Sequence, residues 1–224
     1  AIKPELIKRN RVVCIDLLGH GQTECFGYVH SMELMADVVA DVLHFLKIRR
    51  SIFVGHSMGG YVALAFAEKS PDNVKGLCLL NSTTRADSSE RVQLRNRAIE
   101  AVKTNYRNLV RMSISNLFRP KSLTLFSEEI KQVKTEALKT PLQGCIAAQE
   151  GMKIREDREV LLNFSPYKKM IIYGKKDPIL DYKDVLDQIK ETEVHRVELP
   201  DGHMSHIENR QEVISALQKF VKSC

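Results

Sequence analysis

The chain has 224 residues, of which 43% are hydrophobic, and its formal net charge is +6. An ordinary apolar fraction and a modest net charge exclude intrinsic disorder, and no run approaches the roughly 18 consecutive apolar residues of a membrane span. This length predicts one large domain, or one domain that carries an insertion.

Short apolar runs alternate with helical periods over the first part of the chain. The predicted strands cover residues 11–16, 51–54 and 74–80. The predicted helices cover residues 31–48 and 58–69, and Ser31 is expected to cap the first of them. This alternation predicts an α/β fold with a mostly parallel sheet that is flanked by helices.

The end of the chain returns to the same alternation after a long stretch without strands. Further strands are predicted at 169–173 and 194–199, and further helices at 182–190 and 209–222. The stretch between the two alternating parts is predicted to form three to five helices, for example over 88–103, 127–139 and 142–153. We therefore expect an α/β core formed by residues 1–83 and 164–224, with a helical cap inserted at 84–163.

A G-x-S-x-G pattern lies between a predicted strand and a predicted helix, in Gly55–Gly59. This is the pattern of a nucleophile elbow, in which a strained turn lifts the hydroxyl of Ser57 out of the sheet. We expect the two glycines to leave room for the turn. The Met58 N–H and the helix N-terminus would then face the negative charge of an oxyanion. The alternative is a glycine-rich connection with an N-capping serine.

A nucleophilic serine needs a general base, and seven histidines compete for that role. His203 follows the last predicted strand, which places it at the carboxyl edge of the sheet, the same edge as Ser57. His206, three residues further on, is the near alternative. His56 adjoins Ser57, but its side chain is expected to point elsewhere.

The base in turn needs an acid that fixes its tautomer and stabilises the imidazolium. Asp177 follows the predicted strand 169–173, again at the carboxyl edge, and Pro178 stiffens its loop. Asp181 is the alternative acid, and a simple turn aspartate is the alternative interpretation of Asp177.

The sequence resembles the α/β-hydrolases that carry a helical cap, which have the chain order serine, aspartate, histidine. The resemblance rests on four motifs: Asp16–Gly21 (D-x-x-G-H-G), Gly55–Gly60 (G-H-S-M-G-G), Gly174–Pro178, and Gly202 with His203. It implies that Asp16 and His20 are structural loop residues rather than catalytic ones. It also implies that residues 84–163 are the cap.

The sequence departs from that family in one respect. Members usually begin with further strands and a His-Gly loop that supplies a second oxyanion N–H, whereas the first strand predicted here, at 11–16, is the one that bears the D-x-x-G-H-G loop. Met58 is therefore the one oxyanion donor that can be assigned. Loss of the other donor would lower the rate by about 10²–10³. Either a segment with the missing strands precedes Ala1 or the protein is impaired, and we expect the former because a sheet without those strands would expose an unpaired edge.

These residues predict a serine hydrolase that cleaves a carboxylic ester or thioester through an acyl-enzyme, with no metal and no organic cofactor. Serine at the nucleophile position argues against the dehalogenase and epoxide-hydrolase branches of the family. The alternatives are a carbon–carbon bond hydrolase or a menaquinone-pathway-type lyase on the same triad, with Arg91 or Arg95 as an additional polar group, and a non-catalytic ligand-binding relative.

The cap is expected to determine which small-molecule ester or thioester binds. Some of its apolar residues would line an acyl pocket and most would pack together: Met112, Leu117, Phe118, Leu125, Phe126, Ile146 and Met152. Residues 84–165 hold 15 Lys and Arg against 10 Asp and Glu, an excess that would steer an anionic substrate.

Other partners and sites are not expected. Trp is absent and aromatic residues make up only 6% of the chain, so platforms for stacking nucleic-acid bases are poorly supplied. The five cysteines form no C-x-x-C pair, which is typical of reduced cytoplasmic thiols rather than of disulfides or of a zinc site.

Overall fold

The centre of the molecule is a four-stranded sheet in which every pairing is parallel. The computed structural model describes residues 1–224. The strands are β1 (Ser51–His56), β2 (Val74–Leu80), β3 (Lys168–Gly174) and β4 (His195–Leu199), and they are hydrogen-bonded in that order. Because all four strands run the same way, their carboxyl ends meet at one edge of the sheet. The predicted parallel α/β fold is confirmed.

Eleven helices accompany the sheet. They are α1 (Lys3–Leu6), α2 (Met32–Phe45), α3 (Met58–Lys69), α4 (Ser89–Ser115), α5 (Ser122–Leu125), α6 (Ser127–Ala137), α7 (Leu142–Lys153), α8 (Val160–Asn163), α9 (Tyr182–Gln188), α10 (Ser205–Glu208) and α11 (Arg210–Ser223). The Ser31 hydroxyl accepts a hydrogen bond from Leu34 N at 3.1 Å, so the predicted cap of α2 is confirmed. None of the helices is both long enough and apolar enough to span a membrane.

The two faces of the sheet bury two separate apolar clusters, because successive residues of a strand point to opposite faces. On one face Leu77 and Leu79 of β2 pack with the buried side chains of α2, α3 and α9. On the other face Cys78 and Leu80 pack with α11. Helices therefore cover both faces, and apolar side chains are buried on both sides of β2 and β3.

One predicted strand is wrong. Residues 11–16 have no strand structure, and β1 is paired only with β2. Val13 is 37% exposed and Cys14 is exposed, whereas Ile15 is partly buried and packs against the core. An apolar run becomes a strand only where its main chain finds a partner, and here the segment makes no ladder of hydrogen bonds with β1.

The stretch predicted to be helical contains the five helices α4–α8. The helix that the sequence placed at 88–103 continues to Ser115, with a break at Asn105 (φ −147°, ψ 63°). The five cysteines are all free thiols.

A buried ion cluster joins this stretch to the sheet domain. The Asp87 side chain is 1% exposed and pairs with the guanidinium groups of Arg95 and Arg155. Burial raises the pKa of the Asp87 carboxyl, but the hydrogen bonds and charges of the two arginines outweigh it and hold the pKa below its usual range. Arg155 also stacks over the ring of Tyr61 in α3, 4.1 Å from its centroid.

Candidate active site

Ser57 occupies the sharp turn between β1 and α3. Its main-chain angles (φ 49°, ψ −118°) lie in a region that residues other than glycine rarely adopt, so the turn is strained. Both main-chain groups of the serine are held: its N–H donates to Leu80 O at 3.0 Å, and its carbonyl accepts from Gly60 N at 2.9 Å and from the Ser82 hydroxyl at 2.8 Å. The strained turn that the sequence predicted is present.

Only one of the two motif glycines, Gly55, is needed to leave room for this turn. A Cβ on Gly55 would lie 2.4 Å from the carbonyl oxygen of Gly59 and 2.5 Å from the Cα of Gly60, so the close approach there requires glycine. A Cβ on Gly59 would meet nothing within 4 Å, because this residue faces open space. The prediction that both motif glycines are sterically required is therefore right for Gly55 and wrong for Gly59.

His203 and Asp177 form a buried pair at the same edge of the sheet. The His203 Nδ1 lies 2.8 Å from one Asp177 carboxylate oxygen and 3.0 Å from the other, and both side chains are 2% exposed. One of those oxygens also accepts the N–H groups of Ile179 and Leu180, at 2.8 and 3.0 Å.

These contacts keep the carboxylate charged. Burial raises the pKa of Asp177, but the hydrogen bond and charge of His203 and the two main-chain N–H groups outweigh burial and lower the pKa below its usual range. A carboxylate at Nδ1 requires the proton of a neutral imidazole to be on that nitrogen, which leaves Nε2 free to accept one.

The alternative residues lie outside this pair. Asp181 caps α9, where its carboxylate accepts from Lys183 N at 2.8 Å and Asp184 N at 3.1 Å. The His206 Nδ1 is buried without a hydrogen-bond partner, and burial lowers the pKa of this histidine to about 4. The structure brings His203 and Asp177 together, and neither alternative contacts them as base or acid.

The main chain of His203 is held from two further directions. Its N–H donates to Leu117 O at 3.2 Å, and its carbonyl accepts from His56 Nε2 at 2.9 Å. The His56 ring lies between the rings of His203 and His206, with centroids 5.1 and 4.7 Å away. Burial, and then the two neighbouring histidines, hold the pKa of His56 well below its usual value, so the ring is neutral with its proton on Nε2.

Asn81, which directly follows β2, is a further polar residue of this edge that the sequence motifs do not indicate. Its side chain is buried, and its amide nitrogen donates to an Asp177 carboxylate oxygen at 3.0 Å and to Gly202 O at 3.2 Å. The signal available in the sequence was a polar residue at the carboxyl end of a predicted strand, the same location that indicated Asp177 and His203.

Arg91 and Arg95, the candidates for additional polar groups, are both engaged in contacts within the protein. Arg91 donates to Ile179 O at 2.9 Å, and Ile179 lies in the loop that carries Asp177. Arg95 pairs with Asp87 and donates to the Gln149 side chain at 2.8 Å.

Asp16 and His20 make contacts within their own loop. An Asp16 carboxylate oxygen accepts from Gln22 N at 3.0 Å, and His20 Nδ1 contacts Leu18 O at 2.9 Å. Gly21 has a positive φ of 56°, and a Cβ there would lie 2.2 Å from the Asp16 carboxylate.

The apolar residues of the helical stretch are divided between packing and surface. Phe118 is buried and packs with Ile130 and with Met204, the residue after His203. Met112 and Leu125 are exposed. The stretch therefore packs against the loop that carries the histidine.

A parallel sheet whose carboxyl edge gathers a strained serine turn and a buried aspartate–histidine pair defines an α/β protein of hydrolase type. Comparison with known families agrees with this class. The family described as the alpha/beta hydrolase fold matches residues 2–210, and the chain belongs to it. The resemblance found in the sequence is confirmed.

Three curated relatives illustrate the family's range. The acetyltransferase component of an acetoin-cleaving system from Pseudomonas putida is 26% identical over 98% of this chain and 58% of its own length. The 3-oxoadipate enol-lactonase 1 of Acinetobacter baylyi is 28% identical over 95% of this chain and 79% of its own. The 2-hydroxymuconate semialdehyde hydrolase of a Pseudomonas species is 26% identical over 98% and 79%. The chain thus spans little more than half of the first relative's length.

A solved structure of a thermophilic esterase from Thermogutta terrifontis superposes with a TM-score of 0.86. It is 28% identical and the match covers 92% of this chain and 78% of that one. The family and its named relatives support the predicted hydrolase, and the relatives include proteins named as an esterase, an enol-lactonase and a semialdehyde hydrolase.

Proposed function

We propose that this protein is a serine hydrolase that cleaves a carboxylic ester or thioester, with Ser57 as nucleophile, His203 as general base and Asp177 as the acid that orients it. The observation that carries the proposal is the strained serine turn at the same sheet edge as the buried His203–Asp177 pair. A hydroxyl raised above a sheet edge, next to a base with a fixed tautomer, is the requirement for nucleophilic acyl transfer.

The reaction follows from these positions. The Ser57 hydroxyl oxygen attacks the carbonyl carbon while His203 Nε2 takes its proton, and the proton then passes to the leaving alcohol or thiol. Met58 is the first residue of α3, so its N–H has no acceptor within the helix and is available to the oxyanion. Water next attacks the acyl-enzyme through the same base, which releases the carboxylic acid and restores the serine.

Residues 84–163 serve in this proposal as a cap that selects a small-molecule substrate. Their contacts with the histidine loop, through Leu117 and Phe118, support that role. The net positive charge of residues 84–165 favours an anionic substrate, and the free thiols favour a cytoplasmic location.

Labelling with a fluorophosphonate probe tests the nucleophile. We expect the protein to be labelled, Ser57→Ala to abolish labelling, and Ser89→Ala, which changes an exposed serine at the start of α4, to leave it unchanged. Labelling that persists in Ser57→Ala would rule out this serine.

Turnover of p-nitrophenyl esters of graded chain length then tests the reaction. We expect cleavage of at least one chain length, abolished in Ser57→Ala. A folded protein that takes up the fluorophosphonate but cleaves no ester would instead support the carbon–carbon hydrolase alternative. No contact of Arg91 or Arg95 favours that alternative, since both are occupied within the protein.

A further inference from the structure

We propose that Asn81 is a positioning residue for the Asp177–His203 pair: its side-chain amide holds the acid and the histidine loop together. This inference rests on the proposed function, because it assigns Asn81 a role in the same site. The juxtaposition behind it is an amide nitrogen 3.0 Å from Asp177 and 3.2 Å from the carbonyl oxygen of Gly202, the residue before His203.

The amide orientation is set by the chemistry of its neighbours. The Asp177 carboxylate and the Gly202 carbonyl are both acceptors only, so the group that faces them must be the NH₂ end of the amide. Each of its two protons then has an acceptor. One side chain therefore ties the loop after β3 to the loop after β4.

This arrangement carries two costs to stability. Asn81 has a positive φ of 46°, an uncommon conformation for a residue with a Cβ, and its side-chain oxygen is buried without a hydrogen-bond partner. The hydrogen bonds of this side chain go to Asp177 and to Gly202, both in the loops that carry the proposed acid and base. Strain and unsatisfied polar atoms of this kind concentrate at functional sites.

The main chain around Asn81 connects it to the nucleophile as well. Its N–H donates to Ile172 O of β3 at 2.8 Å, and the carbonyl of the preceding residue, Leu80, accepts from Ser57 N at 3.0 Å. Leu80 and Asn81 together thus bond the end of β2 to the serine turn, the acid loop and the histidine loop.

The amide determines how the carboxylate meets the imidazole. Main-chain N–H groups hold one Asp177 oxygen, and Asn81 is the only donor besides His203 on the other. With the amide removed, that second oxygen is fixed by the imidazole alone. More negative charge then lies on the Asp177 oxygen that faces His203 Nδ1, and the plane of the Asp177 carboxylate is less well fixed.

Asn81→Gly tests this role, because glycine keeps the positive φ and removes the amide. We expect kcat on a p-nitrophenyl ester to fall about 10- to 100-fold with KM within about twofold, as for loss of a hydrogen bond to a charged group. The acidic limb of the pH profile of kcat/KM should move to higher pH. Lys47→Gly, at an exposed position that also has a positive φ, is the matched control and should change neither.

Asn81→Asp is a second variant that keeps the side-chain shape. Two carboxylates this close cannot both be ionised, and the proton they share can replace the amide donor. We expect the activity of Asn81→Asp, divided by that of the unmodified protein at the same pH, to be highest at acid pH and to decline as that proton is lost. If Asn81→Gly does not fold, the pH dependence of this activity ratio is the test. A ratio that is constant across pH overturns the proposal.

Two further outcomes would overturn it. Kinetics of Asn81→Gly that match the Lys47→Gly control, or a lower thermal stability with an unchanged pH profile, would leave Asn81 with a structural role at most. If the unmodified protein proves not to be a hydrolase, the NMR resonance of the His203 Nδ1 proton decides independently of activity. A shift in Asn81→Gly supports positioning, and an unchanged resonance contradicts it.

Discussion

The imidazole of His56 donates a hydrogen bond from Nε2 to the main-chain carbonyl of His203, at 2.9 Å. His56 ends β1 and His203 follows β4, so this bond joins the end of one outer strand of the sheet to the loop after the other. Because His56 directly precedes Ser57, the residue before the proposed nucleophile holds the main chain of the proposed base.

This bond predicts different results for two amide substitutions. The amide nitrogen of His56→Gln can reach the position of Nε2 and keep the bond, whereas that of His56→Asn can reach only the position of Nδ1. We expect kcat/KM on a p-nitrophenyl ester to stay within about threefold for glutamine and to fall about tenfold for asparagine, the value of one neutral hydrogen bond. Equal kinetics of the two variants would show that the bond is dispensable.

The glycines of the serine turn provide a second matched pair. Gly55→Ala places a methyl group against the main chain of α3, which cannot move aside without opening the turn, and we expect a loss of about 3 kcal/mol or more of unfolding free energy. Gly59→Ala places its methyl group in open space and should change stability by less than about 1 kcal/mol. Urea unfolding of the two variants measures the difference, and similar stabilities would contradict the close approach at Gly55.

The buried Asp87 carboxylate is expected to stabilise the contact between the helical stretch and α3, which Arg155 makes through Tyr61. Asp87→Ala leaves the guanidinium of Arg155, 5% exposed, without its carboxylate, and we expect a loss of about 3–5 kcal/mol in urea unfolding. Glu136→Ala, which removes the exposed ion pair with Lys139, should cost about 0–1 kcal/mol. Equal effects would show that the buried cluster contributes no more than a surface pair.

Because the ring nitrogen Nδ1 of His206 is buried, we expect the folded protein to lose stability in acid. The folded protein lowers the pKa of His206 from 6.5 to about 4, so between those values the unfolded chain binds the additional proton and folding weakens as pH falls. Asp177, whose pKa is also lowered, loses its contribution at still lower pH.

Replacing His206 should therefore make the unfolding free energy depend less strongly on pH. We expect the fall in unfolding free energy between about pH 7 and pH 4.5 to be smaller by about 2 kcal/mol in His206→Gln. His44→Gln, at an exposed position, should fall as the unmodified protein does. Parallel curves for the two variants would mean that His206 does not titrate as its burial requires.

Local patterns predicted the parts of the fold that depend on local structure. The helical periods gave α3 and α7 with the bounds that the structure has, and the strands after residue 50 were found to within two residues. The strand predicted at residues 11–16 was wrong because a strand needs a partner strand elsewhere in the chain, which an apolar run does not specify.

The candidate site was predictable as far as it follows from topology. Ser57, Asp177 and His203 each follow a parallel strand, and parallel strands bring their carboxyl ends together. The contacts of Asn81 and His56 were not predictable, because each reaches across the sheet to a main-chain or carboxylate oxygen without a motif to mark it. Arg91 and Arg95, the candidates for additional polar groups, hydrogen-bond within the protein, to acceptors that the sequence alone does not reveal.

The bond from His203 N–H to the Leu117 carbonyl has a practical consequence for engineering. The donor and the acceptor are both peptide groups, so any amino acid at position 117 can supply that oxygen. Helices of a relative grafted in place of α4–α8 would therefore keep this bond only if their backbone followed the same path past the main chain of His203.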